Sequence, residues 1–125
     1  MLFKTTLFIA FGGAIGAVGR FFFSNLFYDI FGRNFPYGTL AVNIVGSLLI
    51  GFFYVVFVEK MTLGPDLRTF IIVGMFGAFT TFSTFSLETL LLIQQGNTLK
   101  ALLNVILSVI LCLFACWLGM ILSRI

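Results

Sequence analysis

The chain carries very little charge and no histidine. Only 9% of its 125 residues are charged, whereas a soluble domain has roughly 25% charged residues. Its four carboxylates stand apart from one another at Asp29, Glu59, Asp66 and Glu88. So little charge does not cover a surface that faces water. The absence of histidine also removes its acid–base chemistry, the triads that contain it and most metal-hydrolase sites. We therefore expect a protein solvated by lipid, and not an enzyme.

The basic residues and the cysteines point to no special partner. The seven basic residues are isolated, mostly near the ends of uncharged segments, which is typical of Lys and Arg beside membrane spans. We expect no nucleic-acid partner. Cys112 and Cys116 are four residues apart in an apolar segment, where a regular helix orients them poorly for a disulfide. We interpret them as small buried side chains.

Long uncharged segments define the organisation of the chain. Residues 34–58, 69–87 and 101–123 contain no charge, and 5–28 contain only Arg20. About 20 apolar residues cross a bilayer as a helix, and turn residues or charges separate these segments. The sequence predicts an all-α membrane protein, a single four-helix domain over residues 1–125, with spans near 5–28, 35–58, 68–93 and 100–123.

Small residues recur one helical turn apart in three of the predicted spans. The pairs are Gly12 with Gly16 (extended by Gly19), Ser47 with Gly51, and Ala115 with Gly119. Such pairs let membrane helices approach closely. We favour this interpretation over a signal peptide in residues 1–19 with "AIGA" as its cleavage site. So many close-contact surfaces indicate that some serve a second subunit of a symmetric homo-oligomer.

Charge distribution specifies the membrane orientation only weakly. The side of the membrane with the N-terminus carries four basic residues: Lys4, Lys60, Arg68 and Arg124. The opposite side carries Arg33 and Lys100, and a third basic residue if Arg20 is counted there. This is a weak positive-inside bias. It permits insertion in both orientations and an antiparallel dimer, and a slight preference for one orientation stays open.

The third predicted span contains an unusual polar stretch, "GMFGAFTTFSTFSLE" (74–88). Five hydroxyl residues fall within 80–86. One or two would simply bond to carbonyls a turn earlier, but five beside Gly74 and Gly77 favour a break in the helix. Unwound backbone at membrane depth is tolerated only inside protein or a cavity, and broken helices commonly hold a cation with freed carbonyls.

Aromatic rings alternate with these hydroxyls. On a continuous helix, Phe79, Phe82 and Phe85 form one ridge because residues three apart are neighbours. Hydroxyls and amides donate hydrogen bonds to an anion, and the edge of a phenylalanine ring is electropositive. Conduction requires weak binding at several sites. The pattern indicates a pathway for a small anion, without selecting which anion.

Other spans also contribute polar groups. Asn43 follows Thr39 by one turn in the second span, and Ser108 follows Asn104 in the fourth. An asparagine in a membrane helix also serves to bond a neighbouring helix, and that alternative stays open. Arg20 is a functional candidate because it is ionisable within a span, with snorkelling to the interface as its alternative. Glu88, near the end of the third span, faces water or a cationic partner.

Three segments resemble the fluoride-channel family known as Fluc or CrcB. They are "GGAIGAVGR", "GTLAVNIVGSLLIG" and "GMFGAFTTFSTFSLET", and the "TTFSTFS" string is the most specific. The resemblance implies an antiparallel, dual-topology homodimer in the cell membrane that encloses two fluoride pores and passively exports fluoride.

The resemblance also implies roles for individual residues. The implied anion-pore residues are Phe82, Phe85, Asn43, Thr39, Ser108, Ser83 and Thr84. Arg20 matches a basic residue of the vestibule, and Glu88 matches a carboxylate beside the polar track. Gly77 and Thr80 match a break near the centre of the third helix, where backbone carbonyls hold a structural sodium ion that is not transported; hard oxygen ligands suit such a cation.

The chain departs from the family pattern at Phe79, Asn104 and Cys112, so the contribution of the fourth helix to the pore stays open. Two rival functions are a small multidrug exporter and a scaffold that transports nothing. Four-span exporters couple transport to a glutamate in the first span, which this chain lacks, because Glu88 is in the third.

Overall fold

The computed structural model describes residues 1–125, and these residues are almost entirely helical. Four helical segments are long and apolar enough to cross a membrane: Leu2–Phe31, Tyr37–Glu59, Pro65–Gln94 and Thr98–Arg124, here called the first to fourth spans. The prediction of an all-helical protein with four membrane spans is confirmed, and the chain is a multi-pass membrane protein. The second span begins two residues later than predicted, because Pro36 precedes its first helical turn.

The spans differ in how regular their helices are. The first and fourth are uninterrupted α-helices, whereas the second changes to a π-helical turn and the third is made of several pieces. The elements are α-helices Leu2–Phe31 and Tyr37–Tyr54, π-helix Val55–Glu59, α-helix Pro65–Arg68, π-helix Thr69–Phe76, and α-helices Gly77–Phe79, Phe82–Gln94 and Thr98–Arg124. Gly32, with a φ of 88°, ends the first span, in the left-handed region where glycine is favoured.

Glycines bring the spans together in two pairs. Gly12 and Gly16 of the first span lie directly against the third-span backbone at Phe70 and Met75. Gly51 of the second span lies against the backbone of Cys116, and Gly119 lies against that of Leu48. The close contacts of these glycines are made within one chain, and the expectation that some small-residue surfaces serve a second subunit stays a prediction.

Charged residues at the span ends connect the same pairs. Lys4 Nζ lies 3.0 Å from the Asp66 carboxylate, joining the first span to the third. Arg124 donates two hydrogen bonds to Glu59, at 2.9 and 2.6 Å, joining the fourth span to the second. Ion pairs between exposed side chains contribute little to stability, because water and salt screen them. Close glycine packing therefore contributes more than these ion pairs to holding the spans together.

Replacing Gly12 by alanine should lower stability, and replacing its neighbour Gly13 should not. A Cβ at Gly12 would overlap the Phe70 carbonyl oxygen and lie 3.1 Å from Gly74 Cα, whereas a Cβ at Gly13 meets no atom within 4 Å. Forcing a side chain into a packed contact costs about 1–3 kcal/mol. Thermal unfolding midpoints in detergent measure the difference, and equal midpoints for the two variants would contradict this packing.

Candidate functional site

The third span contains two residues with extended backbone at its middle. Thr80 has φ −85° and ψ 157°, and Thr81 has φ −150° and ψ 117°, so the helix that ends at Phe79 resumes only at Phe82. The Thr81 hydroxyl accepts a hydrogen bond from the Thr84 N–H at 3.1 Å. Such a side-chain cap satisfies one of the free N–H groups at the start of a helix, which stabilises the new helix start.

Asn43 of the second span pairs with both backbone groups of Thr81. Its Nδ2 donates to the Thr81 carbonyl at 3.0 Å, and the Thr81 N–H donates to its Oδ1 at 2.8 Å. The N–H groups of Thr81 and Thr84 thus bond to side chains and not to the carbonyls four residues earlier. As a result, the Gly77 and Thr80 carbonyl oxygens lose the N–H partners, four residues later, that a continuous helix would give them.

The extended residues also separate the phenylalanines. Phe82 and Phe85 remain adjacent, with ring centroids 5.4 Å apart and planes inclined by 45°. Phe79 lies on the other side of the interruption and contacts Phe23, at a centroid distance of 5.6 Å. The predicted ridge of three rings is therefore wrong, because it assumed continuous helical geometry across Thr80 and Thr81.

A groove of about 470 Å³ lies beside the Phe82–Phe85 pair. Polar and apolar side chains from the second, third and fourth spans form its walls. The polar lining residues are Asn43, Ser47, Thr80, Thr81, Ser108 and Cys112; the apolar ones are Ile50, Phe82, Phe85, Val109 and Leu113. Phe82 is 79% exposed in the single chain, so the groove opens on the surface of one copy. We call it the central groove.

A second cavity of about 360 Å³ is also bordered by Thr81 and is rich in hydroxyls. Its lining residues are Ala17, Arg20, Phe21, Ser24, Thr39, Val42, Thr81 and Thr84. Thr81 borders both this cavity and the central groove. Arg20 has no ion pair with any carboxylate of the chain. We call this space the Arg20 cavity.

Glu88 lies in a network of hydroxyl groups that joins three spans. Its carboxylate accepts hydrogen bonds from the Tyr28 hydroxyl, at 2.9 Å, and from the Thr39 hydroxyl. Sequence reasoning missed Tyr28, because one tyrosine near a span end is ordinarily an interfacial anchor. Thr39 also borders the Arg20 cavity, so the network continues the polar path toward the end of the third span.

The fourth span supports the site through Asn104. This side chain is 1% exposed, and its Nδ2 donates to the Thr89 hydroxyl at 2.9 Å, which in turn donates to the Phe85 carbonyl at 2.7 Å. Asn104 does not line the central groove, whereas Ser108 and Cys112 do. Ser83 is exposed and lies outside the groove lining, with its hydroxyl 3.4 Å from that of Thr81.

The fold and site define a small multi-pass membrane protein with a polar path beside an interrupted span. The family model described as "CrcB-like protein, Camphor Resistance (CrcB)" matches residues 7–120, and the chain belongs to this family. The resemblance found in the sequence is thereby confirmed. Together with its four spans, this makes the chain a multi-pass protein of the cell membrane.

Three relatives named "Fluoride-specific ion channel FluC" illustrate the similarity. Each matches over 116 residues, or 93% of this chain: 53% identity in Methylococcus capsulatus, 49% in Magnetococcus marinus and 54% in Shewanella amazonensis. The match spans 51% of the Methylococcus protein, about half its length. It spans 94% and 93% of the Magnetococcus and Shewanella proteins.

Replacing Asn43 by leucine should destabilise the protein markedly. The change keeps the side-chain size but leaves the N–H and C=O of Thr81 without partners, and each buried unsatisfied group costs about 1–3 kcal/mol. Ser86→Ala is the matched control, because its hydroxyl is exposed and bonds only back to the Phe82 carbonyl, at 3.0 Å. Unfolding midpoints measure both variants; a loss with Asn43→Leu no greater than with the control would contradict the role of this pairing.

Proposed function

We propose that this protein is a fluoride-selective channel that passively exports fluoride and lowers its cytoplasmic concentration. The observation that carries the proposal is the central groove, where two adjacent phenylalanine rings face hydroxyl and amide groups beside the interrupted span. The name of the relatives supports fluoride as the anion. Hydrogen fluoride enters a cell as a neutral weak acid and dissociates inside, so a path for the anion alone relieves its accumulation.

The chemistry of the groove suits a small anion. The edges of Phe82 and Phe85 supply weak positive potential. The Asn43 amide has a second N–H beside the one it donates to Thr81, and the Ser108 hydroxyl is held only by a long bond of 3.5 Å to Asn104 Oδ1, so both are donors for an anion. No Lys or Arg lines the groove. A full positive charge would bind a small hard anion tightly, whereas conduction needs binding weak enough for release. The rings and donors together provide that intermediate strength.

Further polar groups extend the path away from the rings. Thr81 leads from the central groove to the Arg20 cavity, which Thr39 and Thr84 also line. We assign Arg20 to the vestibule, where its unpaired charge attracts anions, and Glu88 to the far end of the track. Ser83 stands at the exposed face beside Thr81 and completes the proposed set.

A second copy of the chain covers the central groove in this proposal. In lipid, polar backbone and hydroxyl groups at membrane depth must be satisfied by protein or line a cavity. The groove of one copy is open where exposed Phe82 lines it, and the neighbouring Ser83 is also exposed. An antiparallel homodimer would bring two such grooves together and close both, forming two pores, and the weak charge bias of the sequence allows it.

A structural sodium ion fits the interrupted span. The Gly77 and Thr80 carbonyl oxygens have lost the N–H partners that a continuous helix would give them, and Gly77 is exposed on the surface of one copy. Hard backbone oxygens are suitable ligands for a small cation. In a dimer, these two residues of each copy would hold the ion, which would neutralise the converging carbonyl dipoles and join the subunits.

Fluoride efflux from liposomes tests the proposed function. We expect rapid fluoride release with chloride retained, measured with ion-selective electrodes in sodium-containing buffer. Phe82→Ile and Phe85→Ile should each slow fluoride release about tenfold or more, because loss of the ring edge need raise the barrier by only about 1.4 kcal/mol. Phe114→Ile is the control, since Phe114 is 54% exposed and lies outside the groove.

The outcomes separate the function from the role of the rings. Wild-type protein that releases no fluoride, while confirmed as a folded dimer, would refute the channel. Wild-type rates in both ring variants would leave the channel standing and refute the assignment of Phe82 and Phe85.

Sodium removal tests the proposed ion site independently. We expect exchange of sodium for a large organic cation to reduce both the dimer fraction and the fluoride flux, because the Gly77 and Thr80 carbonyls would then repel one another without a ligand. Size-exclusion chromatography and the efflux assay follow the two effects, with refilling by sodium as the reversal control. Indifference to sodium in both measurements would count against these ligands.

A further inference from the structure

A third cavity, of about 200 Å³, lies at the Glu88 end of the polar track. It is bounded by the end of the first span, the connection to the second span, and the last turns of the third. The residues that line it are Tyr28, Arg33, Asn34, Phe35, Pro36, Glu88, Leu91, Leu92 and Gln95. Since Tyr28 and Thr39 both bond to Glu88, this cavity adjoins the Arg20 cavity through one shared hydrogen-bond network.

Arg33 is the cationic side chain in the lining of this cavity. Its guanidinium lies 4.6 Å from the centroid of the Tyr28 ring, and Nη2 donates to Asn25 Oδ1 at 3.1 Å. It forms no ion pair with a carboxylate. A guanidinium carries five N–H donors, so the single bond to Asn25 leaves most of them for water or an anion.

We propose that Arg33, stacked on Tyr28, makes this cavity the anion-recruiting mouth of the pathway at the Glu88 end. The inference rests on the proposed function and assigns it a second charged entrance, separate from the Arg20 cavity. The ligand is a small hydrated anion, chiefly fluoride.

The need for a cation at this mouth follows from Glu88. A carboxylate on the wall of an anion path repels the permeating ion, and hydrogen bonds from Tyr28 and Thr39 do not remove its negative charge. Arg33 borders the same small cavity and offsets that field. The other charges at this end are the exposed Asp29 and the half-buried Lys100. Lys100 Nζ donates to the Asn34 carbonyl at 3.1 Å, which ties the fourth span to the loop that carries Arg33.

Stacking on Tyr28 keeps the cation in place without neutralising it. A cation–π contact holds a guanidinium while leaving its positive charge uncompensated, unlike the bidentate pair of Arg124 with Glu59 at the opposite end. The contact also tethers Arg33 to the residue that bonds Glu88. The Arg33 guanidinium, the ring and hydroxyl of Tyr28, and the Glu88 carboxylate are thus connected by direct contacts at this mouth.

The salt dependence of fluoride efflux distinguishes recruitment from a structural role. Rates are measured in liposomes of neutral lipid at about 10 mM and about 1 M ionic strength, where the Debye length is about 30 Å and about 3 Å; potassium isethionate sets the ionic strength, and the sodium concentration is constant. We expect Arg33→Gln to release fluoride about threefold more slowly or worse at low ionic strength and to approach wild type at high ionic strength. Arg33→Lys should stay close to wild type.

Arg68→Gln serves as the control, because Arg68 is an exposed basic residue that lines neither this cavity nor the Arg20 cavity. The proposal is overturned if Arg33→Gln matches wild type at both ionic strengths, if it is equally slow at both, or if Arg68→Gln has the same salt-dependent defect. A wild-type protein that conducts no fluoride overturns the proposed function itself, whereas a conducting wild type with an unaffected Arg33→Gln overturns this inference alone.

Discussion

Two hydrogen bonds between the Asn43 amide and the backbone of Thr81 are the interaction on which the site depends. An unsatisfied backbone group in hydrocarbon costs several kcal/mol, so a membrane helix stays continuous unless another group replaces the lost partners. Asn43 provides both an acceptor and a donor at one position. With Thr81 satisfied, the chain remains extended there, the Gly77 and Thr80 carbonyls are freed, and Phe82 and Phe85 take a direction that a continuous helix would not give them.

The glycine contacts explain why this interruption does not loosen the rest of the molecule. The first span packs on the third through Gly12 and Gly16, which contact the part of the third span that precedes the interruption. The second span packs on the fourth through Gly51 and Gly119. Gly46 of the second span, three residues after Asn43, leaves space for the methyl group of Thr80. The same span therefore supplies both the partner for the extended backbone and the space into which it fits.

Hydropathy predicted the spans well because lipid exposure acts on composition directly: a segment that crosses hydrocarbon must be apolar along its whole length. The polar stretch in the third span was also visible in the sequence, since Gly77 and the hydroxyl residues stood out within an otherwise apolar segment. The hydrogen-bond and packing partners of those groups could not be predicted from the sequence. Which glycine faces which backbone, and which amide reaches Thr81, depend on how the spans pack in three dimensions. The same limit hid Tyr28 and made the three-ring ridge wrong.

The fourth span shows why residue type alone did not determine a role. Asn104 and Ser108 repeat the spacing of Thr39 and Asn43, yet Asn104 is buried against Thr89 and supports the helix that carries Phe85. Ser108 and Cys112 border the groove instead. A thiol is a much weaker hydrogen-bond donor than a hydroxyl. The Ser108 hydroxyl donates to Asn104 Oδ1 over a long 3.5 Å, so in the proposed pore this wall offers only weakly held or weak donors, and weak donors favour release of an anion over its retention.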